Sequence, residues 1–123
     1  MRISPEKINF VIYHANCTDG FGAAWAAWKL LGSKAVYYAA SHGDAPPNVS
    51  GKNVAILDFS YPREITQEME REAKSLVVID HHKSAMKELS DLPYAYFDMS
   101  RSGAALSWQF FHPEKAVPKI IAY

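Results

Sequence analysis

The chain is short of cysteine, of net charge and of long hydrophobic runs. Its one cysteine, Cys17, excludes an internal disulfide, and a free thiol is typical of a reducing compartment. Thirteen basic residues balance thirteen acidic ones, which disfavours a broad electrostatic contact with long duplex DNA. No apolar run approaches the roughly 20 residues that span a bilayer. Residues 1–7 also lack the apolar stretch of a signal peptide. These absences predict a cytoplasmic protein with no membrane partner.

Strand and helix patterns alternate along the chain, and 49% hydrophobic residues can supply a core. Apolar runs predict strands over 8–13, 35–39, 53–58, 76–80 and 94–98, and helical patterns cover 20–31, 62–73, 84–89 and 103–111. The third and fourth strands do not alternate with polar residues, as is typical of strands covered on both faces. The sequence therefore predicts a single α/β domain over residues 1–123. We expect three layers, with a mostly parallel sheet of about five strands and helices on both faces.

Three of the predicted strands run directly into side chains that bind metals. The fourth strand ends in Asp80-His81-His82, the third ends in Asp58, and the first leads into His14, with Asp19 five residues later. In parallel sheets, ligands bind at the carboxyl edge, where strand ends meet. Carboxylates and imidazoles are good ligands for divalent ions. The pattern predicts a shared metal site at this edge.

Each of these residues has a simpler interpretation when it is taken alone. A single Asp after a strand is usually a cap or turn residue. Ser60, however, is the better cap for a helix that begins near Pro62, which leaves Asp58 without that duty. In the loop over residues 41–51, His42 and Asp44 fit a solvated turn better than a binding cleft. Trp25 and Trp28 have helical spacing and are expected in the core.

A second anion site is predicted where the last long helix begins. Gly103 permits close backbone approach, Ser102 lies at the helix start, and Arg101 is placed to add a bidentate contact with phosphate. An ordinary capped helix start explains the same spacing equally well. Asp98 is expected to pair with Arg101 rather than to bind a metal.

These motifs together resemble the DHH family of phosphoesterases, which includes RecJ-type exonucleases, NrnA-type oligoribonucleases and exopolyphosphatases. Asp80-His81-His82 is similar to the motif that names the family. The segment from His14 to Gly20 resembles its first motif, Asp58 its second, and Ser102-Gly103-Ala104 a later small-residue element. The four elements occur in family order and span most of the chain.

The resemblance implies hydrolysis of a phosphoester by metal-activated water at two divalent ions, usually Mn²⁺, with Mg²⁺ or Zn²⁺ as alternatives. It implies that Asp58 bridges the ions, that His14 holds one, and that Asp19 and His81 hold the other. Asp80 would orient His81, and His82 would face the substrate phosphate together with Arg101, Ser102 and Gly103. Asp58, Asp80 and His82 are thus the expected catalytic residues. The implied substrates are short oligonucleotides or other small phosphorylated molecules, and a homodimer is left open.

Two departures from the family pattern leave alternatives open. Cys17 occupies the position where the first motif usually has a further Asp, so Cys17 or Asn16 would be a weak metal ligand. The later Asp ligand and the second domain of the family are also missing, and the helical pattern after Pro118 is still running at Tyr123. We therefore expect a longer natural protein. The alternatives are a metal- or nucleotide-binding module without catalysis, and a pyrophosphatase or exopolyphosphatase.

Overall fold

The framework of the protein is a five-stranded sheet, seen in a computed structural model that describes residues 3–122. Its strands are β1 (Phe10–His14), β2 (Val36–Ala40), β3 (Asn53–Leu57), β4 (Ser75–Asp80) and β5 (Ala95–Phe97). They lie in the order β2-β1-β3-β4-β5, and every strand pairing within the described residues is parallel. The predicted sheet is therefore confirmed, with strand bounds that differ from the prediction by at most two residues.

Helices follow most of the strands, as β-α-β connections require. They are α1 (Thr18–Leu31), α2 (Arg63–Glu72), α3 (Lys83–Leu89), α4 (Gly103–Phe111) and α5 (Lys119–Ala122). Single 3-10 turns occur at Pro5–Lys7 and Gly32–Lys34. Across residues 3–122, none of the helices has the length and hydropathy needed to cross a bilayer. Tyr123, where the sequence pattern was still helical, lies outside the described residues.

Successive side chains of each central strand point to opposite faces of the sheet, and each face is covered by helix. On one face, Val11, Leu57 and Val77 pack with residues of α1 and α4. On the other face, Ile12, Ile56 and Val78 pack in a cluster that includes Met69 of α2. The three-layer arrangement confirms the fold predicted from the apolar, non-alternating strands.

The strand order reverses direction between β1 and β3. From β1 the chain moves to β2 at one edge, then returns through residues 41–52 to β3 on the opposite side of β1. In this strand order, the two strands where the direction changes diverge at their carboxyl ends and leave a crevice. His14 and Asp58 stand at those two ends, so the topology places them at the natural binding crevice.

Two local expectations are wrong. Ser60 does not cap α2, because Pro62 occupies the N-cap position and the Ser60 hydroxyl donates to Asp80 Oδ2 at 2.7 Å instead. Trp28 is 54% exposed rather than buried, because the alanines of α1 form the face that meets the sheet and α4. Trp25, one turn away, stacks on Trp108 of α4 with ring centroids 5.7 Å apart.

Candidate metal centre

The ends of β1, β3 and β4 bring the predicted ligands together at one edge of the sheet. Leu57 pairs with both Tyr13 and Ile79, so the residues that follow these three positions are neighbours. Two groups of metal-type side chains result, each with ligand atoms within 4.8 Å of one another. One group is Asp58, Asp80, His81 and His82, and the other is His14, Cys17 and Asp58. Asp58 belongs to both groups.

Asp58 lies between two sets of neighbours, one at each carboxylate oxygen. Its Oδ1 is 2.8 Å from His81 Nε2, whereas its Oδ2 is 3.9 Å from His14 Nδ1 and 3.7 Å from Cys17 Sγ. The residue is 1% exposed and has a left-handed backbone, with φ 56°. Asp tolerates that conformation, and the turn still lets the Asp58 amide donate to Ile79 O at 2.9 Å. A carboxylate in this position is able to bridge two ions.

Gly103 lets the start of α4 lie directly against Asp58. A methyl group at Gly103 would overlap Asp58 Oδ1 and would come within 2.6 Å of Asp58 Cβ. Gly20 has the same role at the start of α1, where an added methyl group would overlap His14 O. Two glycines thus allow two helix starts to close over the ends of β1 and β3.

The N-terminus of α4 binds an anion, but this anion is the side chain of Asp19 rather than a substrate phosphate. Asp19 Oδ2 accepts from Gly103 N at 2.9 Å, and Oδ1 accepts from Ala104 N at 2.8 Å. Ser102 Oγ accepts from Ala105 N at 3.0 Å, so Ser102 is an ordinary N-cap. Asp19 thus occupies the N–H groups of Gly103 and Ala104, and phosphate binding by Ser102 and Gly103 stays a prediction. The two N–H groups orient Asp19, whose Oδ2 is also 3.1 Å from His81 Nε2.

Asp80 positions His82 and not the ring of His81, which corrects the role taken from the family resemblance. Asp80 Oδ1 is 2.7 Å from His82 Nδ1 and accepts from the His81 backbone N at 2.8 Å. Its Oδ2 accepts from the Ser60 hydroxyl. The reason is geometric, because His81 extends towards Asp19 and Asp58 while His82 turns back beside the strand end.

Burial and neighbouring like charges disfavour the charged forms of both Asp58 and His14. Burial, with the neighbouring Asp19 charge and hydrogen bond and then Asp80, raises the pKa of Asp58 to about 7. The pKa of His14 is lowered by burial, and then by His42 and His82. A His with a lowered pKa is neutral at pH 7 and has a lone pair for a metal.

The residues present fit a divalent cation. His14 Nδ1 is buried and has no hydrogen-bond partner within the described part of the chain, so a donor atom is left for a ligand. The centre also offers hard and borderline ligands, which suit Mn²⁺ or Mg²⁺, in the carboxylates of Asp19, Asp58 and Asp80 and the imidazoles of His81 and His82. Cys17 on the His14 side is a softer ligand and favours Zn²⁺ there.

Several expected site residues are not among the grouped ligands. Arg101 is exposed and pairs with Asp98 at 3.7 Å, as predicted for Asp98, and it lines a cavity beside α4 and α5 that also includes Asp19 and Ser102. Asn16 contributes a left-handed turn with φ 53°, and its amide side chain makes no hydrogen bond to any described residue. His82 stays at the edge of the centre, where its side chain is 44% exposed.

The sequence favours a solvated turn for His42, and the residue does lie in an exposed turn, but it also contacts the centre. Its ring stacks on Phe59 with centroids 4.6 Å apart and lies 5.3 Å from the ring of His14. His42 follows the end of β2 by two residues, so its nearness to a strand end was the available signal. The polar composition of the loop is the same whether or not the loop faces a site. This loop must cross β1, so it begins at the same edge of the sheet as the other strand ends.

Comparisons with known proteins support the fold and leave the chemistry open. No family model matches the sequence. Uncharacterized protein R106 of Acanthamoeba polyphaga mimivirus is 32% identical over 138 aligned residues, which cover 98% of this chain and 33% of R106. The chain thus spans about a third of the length of this relative. A crystal structure of an uncharacterized protein from Helicobacter pylori G27 matches with a TM-score of 0.71, covering 89% of this chain and 38% of that one. Its 14% sequence identity makes this a likeness of fold alone.

Proposed function

We propose that the protein is a metal-dependent phosphoesterase of the DHH type that hydrolyses short oligonucleotides or other small phosphorylated molecules. The observation that carries the proposal is the position of Asp58. It lies at the crevice between β1 and β3, with His81 and Asp19 towards one carboxylate oxygen and His14 and Cys17 towards the other. A reducing compartment, the cytoplasm, remains the expected location because of the free Cys17 thiol.

The residues of the chain divide into ligands and positioning groups. Asp19, Asp58 and His81 would hold one Mn²⁺, and His14, Cys17 and Asp58 would hold a second. When bound, such ions neutralise phosphate charge, lower the pKa of water and stabilise the attacking and leaving oxygens. The backbone N–H groups of Gly103 and Ala104 keep Asp19 turned towards His81.

His82 is the residue best placed to act on the substrate. With Asp80 as a carboxylate, which only accepts hydrogen bonds, His82 Nδ1 carries the hydrogen and Nε2 is left free. The Ser60 hydroxyl fixes the other oxygen of Asp80 and so prevents the pair from rotating. In the imidazolium form Nε2 also carries a hydrogen, which it can donate to a phosphate oxygen or transfer to the leaving oxygen. This pairing makes Asp80 a positioning residue for His82.

One alternative has an observation in its favour. On the His14 side, the group around Asp58 contains a thiol and no second carboxylate. Such a set holds Mn²⁺ poorly. Without the second ion the centre would lack the paired clamp on the attacking and leaving oxygens, which would leave nucleotide binding without hydrolysis. This alternative is a metal- and nucleotide-binding module.

Hydrolysis of a 5′-phosphorylated dinucleotide with and without Mn²⁺ tests the proposal. The wild type should release mononucleotides only with metal, and Asp58→Asn and His81→Gln should lose most of that activity. Pyrophosphate should be a poorer substrate. Asp91→Asn, which removes a surface partner of Arg63, is the matched control and should keep full activity. Tight dinucleotide binding without product, in an assay with demonstrated metal binding, would favour the binding module.

A further inference from the structure

A cavity of about 360 Å³ adjoins the metal centre on the side of His82. It shares Asp80 and His82 with the centre and extends from there between the starts of α2 and α3 and the loop after β2. The other lining residues are His42, Ser60, Tyr61, Pro62, Ser84, Ala85 and Glu88. A phosphate group that lies against His82 would therefore direct its ester substituent into this cavity.

The charge of the cavity wall excludes a chain of further phosphates. Within residues 3–122, no lysine or arginine lines it, and Glu88 adds a negative charge. Arg63 lies close to Glu88, but its guanidinium donates to both carboxylate oxygens of Asp91, at 2.6 and 2.9 Å, and to the Glu88 carbonyl. A polyphosphate would meet repulsion here, whereas an uncharged group with hydroxyls would meet acceptors.

The size and polarity of the wall suit one small organic group. A volume of about 360 Å³ lies at the lower end of the range for small-molecule sites. Ala85 and Pro62 supply apolar surface, and Ser84 and Glu88 supply hydrogen-bonding groups. Glu and Asp side chains are common acceptors for ribose hydroxyls in nucleotide sites. A nucleoside combines a flat apolar base with such hydroxyls.

Tyr61, packed against Phe59, forms the aromatic side of the cavity. Tyr61 lines the cavity and is 4% exposed. Its hydroxyl is buried away from the cavity surface, so it offers no hydrogen bond to a ligand there. Phe59 holds the ring of Tyr61 edge-on and also stacks on His42, so the aromatic side of the cavity is preformed.

We infer that this cavity binds the nucleoside of a nucleotide whose phosphate lies at the metal centre, with Glu88 as the specificity residue and Tyr61 as part of the preformed wall. The inference rests on the proposed function, which places the phosphate. It adds that the nucleoside site is formed within residues 42–88 of this chain.

Titration of the ¹⁵N-labelled protein with AMP in MgCl₂, followed by NMR, tests the inference. AMP should shift the amides of Ser60, Ser84 and Glu88, whereas inorganic phosphate should shift only the strand ends. Glu88→Gln should weaken AMP binding by about 3- to 10-fold, the effect of one hydrogen bond, and leave phosphate binding unchanged. Glu72→Gln, remote from the cavity, is the matched control and should bind AMP as the wild type does.

Equal AMP affinity in Glu88→Gln and wild type would overturn the inference, as would AMP shifts outside the cavity or an absence of AMP binding. Trace Mn²⁺ reports separately on the metal centre. Without any nucleotide, the bound ion should broaden the amide NMR signals of residues 58 and 80–82. Failure of that broadening counts against the proposed metal centre, whereas the AMP shifts report on the cavity.

Discussion

The surroundings of Asp58 disfavour its ionised carboxylate form in the metal-free protein. Asp58 is buried, it lies near Asp19 and Asp80, and its pKa is raised to about 7 from an ordinary value of 3.8. A carboxyl group with a raised pKa contributes its full stability below the ordinary pKa. That contribution is lost as the pH rises through about 7. Placing a carboxylate here therefore lowers the stability of the metal-free fold.

Asp58→Asn should for this reason stabilise the metal-free protein at alkaline pH. With one pKa unit worth about 1.4 kcal/mol, we expect a gain of up to about 4 kcal/mol at pH 8 in EDTA, and little change at pH 4. Urea unfolding at the two pH values measures this difference. A mutant that is less stable than the wild type at pH 8 would contradict the assigned environment of Asp58.

Gly103→Ala should displace Asp58 from the centre by steric overlap alone. The added methyl group would lie within 2.6 Å of Asp58 Cβ and Cγ, so Asp58 or the start of α4 must move. We expect a loss of about 1–3 kcal/mol of stability, and a roughly 10- to 100-fold loss in Mn²⁺ affinity. Gly22→Ala is the control, because its methyl group would meet Ala104 Cβ at 2.9 Å, at the same helix contact but away from the carboxylate. Similar Mn²⁺ affinities in both variants would contradict the steric role of Gly103.

At the scale of elements, α1 and α4 form a unit that carries a ligand. Asp19 in the first turn of α1 accepts from two backbone N–H groups at the start of α4. Ala26, Ala104, Ala105 and Trp108 pack together where the two helices meet. At the other end of α4, His112 Nε2 lies 2.9 Å from Ala26 O. The position of Asp19 in the centre therefore depends on how α1 packs against α4.

Ser102→Ala and Asp19→Asn should separate the stability of α4 from metal binding. Ser102 is an N-cap, and its loss should lower the free energy of unfolding by about 1 kcal/mol without changing Mn²⁺ affinity. Asp19→Asn keeps one acceptor oxygen for α4 but loses the charge that faces His81, so Mn²⁺ affinity should fall. Thermal unfolding and metal titration of both variants measure the two effects. A large loss of Mn²⁺ affinity in Ser102→Ala would show that Ser102 takes part in metal binding.

Part of the centre could be predicted from the sequence for a physical reason. Parallel strands end at the same edge, so His14, Asp58 and Asp80 follow from recognising three strands. The roles of Ser60, Ser102 and His42 could not be predicted in this way. Each depends on which partner is nearest in space, and a capping pattern or a polar loop has the same sequence signature whether or not it faces a site.

At the scale of the whole molecule, the strand order explains why the site lies where it does. The order β2-β1-β3-β4-β5 opens a crevice between β1 and β3, and the buried strands on either side hold it rigidly. The helices on both faces leave the carboxyl edge as the place where polar side chains converge. R106 is about three times as long as this chain, so the activity of the whole relative is a separate question.

A metal centre joined to three strands and a helix start should stabilise the entire fold. A ligand that binds only the folded state adds about 2.7 kcal/mol at a concentration 100 times its Kd. We expect thermal unfolding to shift upwards with Mn²⁺ and to return with EDTA. Asp58→Asn should show no shift, and an equal shift in wild type and mutant would mean that the ion binds elsewhere.

The most direct test of the central claim is a calorimetric titration of the wild type, Asp58→Asn and Asp91→Asn with Mn²⁺. We expect saturable binding to the wild type and to Asp91→Asn, with two ions if the His14 side is complete and one if Cys17 weakens it. We expect little or no binding to Asp58→Asn. Equal Mn²⁺ binding by Asp58→Asn and the wild type, or no binding by either, would contradict a metal centre at the strand ends.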